Sequence, residues 1–391
     1  MPTNQRLALL TSLFLTASVA GSVPASAQTY TLKDLSVYGD SVAYDINNVG
    51  QVAGYTRGFY SNPQAFLYSN GKTQEIGTLT GPGFLNADKS EAYGINNSGS
   101  VVGVSDTSQH TPDGYAYQHA FLYADSHMTD LGTLGGSSSA AYAINSLGDV
   151  VGDAQEANFG SHAFLYRNGV MTDLGVLGAG AKGQGNSYAT GINDAGEIVG
   201  NSDLYNADGD DLGFHAFLVK NGQMINLGAN FEGRSFASGI NRSGEVVGWG
   251  DDSFGHEHPL LWDDGQMMNL GLPEGYESGK ANAINDQGEV VGALSGPDGK
   301  YSAFLWSNSK GYTILDNLIV NNPGWKFDPL SINDAGQVVG LGYYGGNHAF
   351  LLTPNPTAVP EASSVLTLGS LVFGLAGVLM YARRRSALHQ S

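Results

Sequence analysis

One nine-residue pattern, Ile-Asn-x-x-Gly-x-Val/Ile-x-Gly, occurs seven times in this chain of 391 residues. Its asparagines are Asn47, Asn96, Asn145, Asn193, Asn241, Asn285 and Asn333, separated by 49, 49, 48, 48, 44 and 48 residues. Every copy keeps the preceding Ile and both glycines. A repeat of this length is one supersecondary unit that stacks on its neighbours to bury a face it cannot bury alone. The chain therefore folds as an array of seven like parts.

Each part reads as four short strands. A segment such as Ala141-Tyr142-Ala143-Ile144 enters the turn Asn145-Ser146-Leu147-Gly148. There Asn bonds its own backbone and Gly takes the left-handed conformation. The second strand follows at once, as in Asp149-Val150-Val151-Gly152. After a variable loop comes a third, at residues 64–68, 119–123, 162–166, 215–218, 258–262, 302–306 and 348–351. A tight turn such as Arg167-Asn168-Gly169 then opens a fourth, typified by Met171-Thr172-Asp173-Leu174-Gly175. Four strands in one such period match a propeller blade and exceed one coil of a β-helix. Residues 30–35 look like a fourth strand without a blade, and the seventh repeat stops at residue 353 after its third strand. Joining the two completes seven blades and covers two sheet edges. The sequence specifies an all-β, seven-bladed β-propeller over residues 28–353, closed by its N-terminal strand.

Both flanks read as targeting segments. Residues 1–27 carry Arg6, an apolar stretch over 7–20 and the small residues Ala25-Ser26-Ala27. This is a signal peptide cleaved between Ala27 and Gln28, so the chain is exported. Residues 354–361 form a proline-containing linker ending in Pro360-Glu361. Residues 362–382 hold no charge and are long enough to span a bilayer as a helix. The tail 383–391 opens with Arg383-Arg384-Arg385, which places it on the cytoplasmic side. The helix makes the chain a membrane protein at least transiently.

Two resemblances follow. The order Pro-Glu motif, apolar helix, arginine cluster resembles the PEP-CTERM sorting signal of Gram-negative bacteria, although the family's second proline is Ala362 here. The resemblance implies an exosortase-type processing partner and delivery to the cell surface or extracellular matrix. His-Ala-Phe stands at residues 119, 162, 215 and 348, each with Ile-Asn-x-x-Gly upstream, and is altered at 64, 258 and 302. This resembles the HAF family of probable extracellular repeat proteins over nearly the whole mature chain. It implies location but no particular activity.

Composition narrows the function. The absence of Cys removes disulfide scaffolds, thiol catalysis and Cys-ligated zinc. The net charge is −19, and the propeller without its flanks holds 13 basic and 35 acidic residues, a charge of −22. Such a surface excludes a nucleic-acid partner and favours cations. No serine-nucleophile motif, phosphate loop or zinc helix occurs, so no residue is assigned a catalytic role.

Five of the nine histidines share one repeat position. In a ring they stand about a blade apart, too far for one ion whose ligands lie within about 2–2.5 Å. They read as structural, bonding a neighbouring blade or backbone. His256-Glu257-His258 is a closer cluster. Asp208, Asp210 and Asp211 offer hard oxygen ligands and are candidate calcium ligands, without the glycine expected at the sixth place. The small residues before each repeat Ile suit a crowded axis, and Asp45 breaks that rule.

The loops opposite the Asn turns are long and dissimilar, and binding usually lives on such loops. They gather Phe59, Tyr60, Asp251 and Asp252 with the candidate ligand-binding residues Tyr115, Tyr117, Tyr205, Trp249, Trp325, Tyr343 and Tyr344. Aromatics beside carboxylates suit sugar rings. The function expected is non-enzymatic binding of exopolysaccharide or a surface protein. The alternative is a secreted glycan hydrolase or lyase that uses carboxylates of two blades.

Overall fold

The computed structural model describes residues 28–356, except 38, 59–60, 81–87, 158–159, 179–184, 207–209 and 230–232. Thr29–Asn355 forms one compact unit. The expected signal peptide with Ala27 lies outside the described residues. So do Pro360, Glu361, the apolar segment 362–382 and Arg383, Arg384 and Arg385. Among the described residues no helix is long and apolar enough to cross a membrane.

The repeat's two glycines have different physical reasons. Asn47 Oδ1 accepts the amides of Val49 and Gln51, at 3.2 and 2.8 Å. This bends the chain so that Gly50 needs φ +81°, a region L-residues rarely adopt. Gly54 answers to packing instead. The inner strand Asp40–Ile46 skips one residue of register between Ala43 and Asp45. The skip pushes the Val42 carbonyl and the Phe66 ring into the place a Cβ would take. Phe66 and its equivalents Phe121, Phe164, Phe217, Phe304 and Phe350 are fully buried over these glycines.

Seven four-stranded antiparallel sheets result, at residues 40–75, 90–130, 135–173, 187–226, 235–269, 278–314 and 326–354. We number them blades 1 to 7. The seventh takes its outer strand from the N-terminus: Tyr30–Asp34 pairs antiparallel with Asn347–Pro354, Tyr30 opposite Pro354 and Asp34 opposite Phe350. The ring is closed as the strand count predicts. Outer hairpins such as Asn168-Gly169 and Asn221-Gly222 hold both residues at positive φ, the twist-matched two-residue turn.

The core lies between blades. Ala53 and Ala65 of blade 1 pack with Ala92, Ile95, Val101 and Phe121 of blade 2. Polar contacts repeat across the same gaps. The Ser139 hydroxyl accepts the Ala120 amide at 2.8 Å, and Ser187 accepts Ala163 at 2.8 Å. Ser90, Ser235 and Ser41 do the same for Ala65, Ala216 and Ala349. Blade 5 has Pro259 in place of that Ala and offers no amide; blade 6 has Gly279 in place of the serine.

The turn asparagines also form a ring. Asn47 Nδ2 donates to the Asn96 carbonyl at 2.8 Å, and the same bond joins each next pair. Asn333 to Asn47, at 3.0 Å, closes the circle. A residue that sequence presents as a turn former is therefore also an inter-blade fastener.

Candidate functional site

The inner-strand bulge decides what faces the axis. The residues skipped by the register are Tyr44, Tyr93, Tyr142, Thr190, Ser238, Asn282 and Leu330, one per blade. They surround an axial cavity of about 290 Å³ on the side away from the Asn turns. The asparagine ring opens a second axial cavity, about 190 Å³, on the other side. The two share Asp45 and a belt of isoleucines that includes Ile46, Ile144 and Ile240.

The upper cavity is asymmetric. Tyr44 meets Tyr93 edge-on with ring centroids 5.0 Å apart, and Tyr93 to Tyr142 is 5.6 Å. Tyr93 donates to Glu91 and Tyr142 to Asp153, each at 2.8 Å. Burial, then the nearby carboxylates, pushes both phenols well above the ordinary tyrosine range, so they stay protonated donors. Facing this arc are short polar groups. The Thr190 hydroxyl donates to the Ala237 carbonyl at 2.9 Å, and Asn282 Nδ2 to that of Pro329 at 2.7 Å. Burial also raises the carboxyls of Asp153 and Asp328 above their usual range.

Asp45, the exception among the small axial residues, is built in. Its carboxylate accepts the Ile46 and Ile95 amides, both at 2.9 Å, and the Ser331 hydroxyl at 2.7 Å. It links blades 7, 1 and 2. Burial still pushes this carboxyl up to about 6.

The residues singled out from sequence are scattered. Tyr115 is 75% exposed in the blade 2 hairpin, and Tyr117 is half-buried in the strand Ala116–Ala124. Tyr205 ends the strand Ile198–Tyr205. Trp249 lies on a strand rather than a loop, stacked on Phe236 at 4.1 Å with the Lys280 ammonium over its ring. Trp325 is only 6% exposed and packs on Phe327, Tyr344 and His348, so it anchors the blade 7 core and offers no face to a ligand. Tyr343 and Tyr344 are exposed beside it. Phe59, Tyr60 and Asp208 lie outside the described residues. Asp210 and Asp211 are exposed, and one carboxylate oxygen of each makes a local bond, to Asn206 Nδ2 at 2.9 Å and to the Gly213 amide at 2.8 Å.

Three of the repeat histidines bond a carboxylate of their own blade, where a neighbouring blade or the backbone was the expected partner. His119 bonds Asp130, His162 bonds Asp173 and His348 bonds Asp34, each on the outer strand of its own blade. The Asp-Leu that ends each of these strands carried that signal. His258 instead bonds Asp252 in its own blade's loop, which lowers that carboxyl to about 2. The axial cavity had a subtler signal. Its lining comes from an inner-strand position that is Tyr in the first three repeats and Thr, Ser, Asn and Leu in the other four.

Fold and site together define a closed seven-bladed propeller whose axis opens into an asymmetrically lined cavity. Residues 26–134 match the family described as "Protein of unknown function (DUF3466)". No curated protein matches. Among solved structures the chain is similar to the β-propeller domain of the Trilobed protease from Pyrococcus furiosus, at 9% identity and TM-score 0.50. That likeness covers 75% of this chain and 98% of the other, which is described as having an open velcro topology, unlike the closure here. YCF48 bound to D1 peptide is similar at 13% identity and TM-score 0.50, over 85% of this chain and 97% of that one. Identities this low establish the propeller fold and nothing of function.

Proposed function

We propose that the chain is an exported, non-enzymatic binding propeller that holds a saccharide of an extracellular polymer in its upper axial cavity. The observation that carries this is the asymmetric lining: a tyrosine arc on blades 1 to 3 opposite short polar groups on blades 4 to 6. Aromatic faces take the apolar side of a sugar ring, while phenols, carboxylates and amides take its hydroxyls. The seat lies on the same face as the variable loops, so Tyr115, Tyr343 and Tyr344 would extend the surface available to a long polymer. Export and surface delivery rest on the sequence of the two flanks, through the signal peptide and the PEP-CTERM-like tail.

A glycan array with the full chain tests the reading. Tyr93→Ala and Tyr142→Ala are each expected to weaken retention about tenfold or more while leaving the fold intact. Retention unchanged in both variants removes the axial cavity from the binding site. Released oligosaccharide instead favours a hydrolase or lyase. For that reading Asp153 and Asp328, raised carboxyls of different blades, are the candidate acid groups.

A further inference from the structure

Blade 3 differs from its siblings in one constellation. His162, buried, turns Nδ1 to the carboxylate of Asp173 at 3.0 Å and to Glu156 Oε1 at 3.5 Å. One ligand atom from each of the three lies within 4.8 Å of the others. Blades 2 and 7 have the His–Asp pair with the outer strand, and blade 5 has only the loop carboxylate, Asp252. Glu156 occupies the repeat position of Asp252, and Asp173 that of Asp130. Blade 3 alone among the described residues aims both carboxylates at one imidazole nitrogen.

Both carboxylates share one imidazole nitrogen, and among the described residues His162 is the only basic partner of either. A cation between two carboxylates this close is favoured electrostatically. We infer that Glu156, His162 and Asp173 form a binding site for a divalent transition ion of the zinc type, with the metal replacing the Nδ1 proton. Three ligands about 2.1 Å from a tetrahedral ion stand about 3.4 Å from one another, close to the spacings from Nδ1 to the two carboxylates. One nitrogen and two carboxylate oxygens suit zinc, and the fourth position is left to water. The site is distinct from the axial cavity and does not depend on the saccharide reading. Nε2 of His162 is buried without a hydrogen-bond partner. The metal-bound tautomer, which carries its hydrogen there, therefore gains no outer-shell bond, and micromolar rather than nanomolar affinity is expected.

The test is equilibrium dialysis of the chelator-stripped full chain against Zn²⁺. One saturable ion per chain is expected, weakened at least about tenfold in Glu156→Gln. That side chain is half-exposed, and circular dichroism checks that the variant keeps its fold. Asp130→Asn, which alters the two-residue pair of blade 2, is expected to leave binding unchanged. Absence of saturable binding overturns the assignment, as does equal affinity in Glu156→Gln. Loss of the ion in Asp252→Asn with retention in Glu156→Gln would also overturn it, by placing the metal in blade 5.

Discussion

Asp45 puts a carboxylate where the other six blades carry Gly94, Ala143, Gly191, Gly239, Ala283 and Ser331. Three hydrogen bonds favour its charge, yet burial outweighs them and raises it from 3.8 to about 6. The folded chain thus holds this proton more tightly than the unfolded one. The stabilising contribution is fully present below about pH 4 and is lost as pH rises to about 6. That window corresponds to about 3 kcal/mol. Asp45→Asn keeps an acceptor oxygen and removes the titration. Urea unfolding across pH 4 to 7 is expected to show the parent losing about 2–3 kcal/mol relative to the Asn variant as pH rises. A difference independent of pH would mean that Asp45 does not titrate in this window. Sequence marks Asp45 as an irregularity, but two of its three partners lie 50 and 286 positions away. No local reading reaches them.

The inner strand and its turn show which elements a repeat makes legible. Asn at the turn and Gly at φ near +80° follow from local chemistry, so the strand count and blade period were readable. The bulge was not, because a skipped register is a property of two strands in contact. Consequently Tyr93 and Tyr142 look like ordinary alternating strand residues until the skip sends them to the axis. The asparagine ring was hidden for the same reason, since its acceptor lies one blade away. Asn96 separates the two roles: its Oδ1 serves the turn amides of Ser98 and Ser100, and its Nδ2 serves the Asn145 carbonyl. Asn96→Asp keeps the turn but replaces the ring bond with a carboxylate oxygen facing the Asn145 carbonyl, with a cost of about 1–3 kcal/mol. Asn96→Ala loses both and is expected to lower the urea midpoint further. Equal midpoints for the two variants would assign the whole effect to the turn.

Closure of the ring is a property of the whole molecule, and it can be separated from mere length. Tyr30 is buried with Leu315, Trp325, Phe327 and Phe350, and Leu35 with Leu351 and Phe66. Removing residues 28–35 uncovers both clusters and frees the edge of Asn347–Pro354 for pairing with another chain. Losing two large buried side chains costs about 3–6 kcal/mol, which for a domain of this size lowers the melting temperature by about 5–10 °C. Self-association on a sizing column is expected alongside. A truncation can destabilise for trivial reasons, so the decisive variant moves the strand without deleting it. Tyr30 pairs with Pro354, and the Asn355 amide donates to the Thr29 carbonyl at 2.8 Å, which places the two ends where a hairpin turn would join them. A permuted chain that ends Pro354-Asn355-Gly and continues into the sequence of residues 30–35 copies the Asn-Gly turns of the other blades. If strand pairing closes the ring, this chain recovers most of the melting temperature and returns to a monomer. If it stays as unstable as the truncation, the N-terminal strand contributes something other than the fourth strand of blade 7.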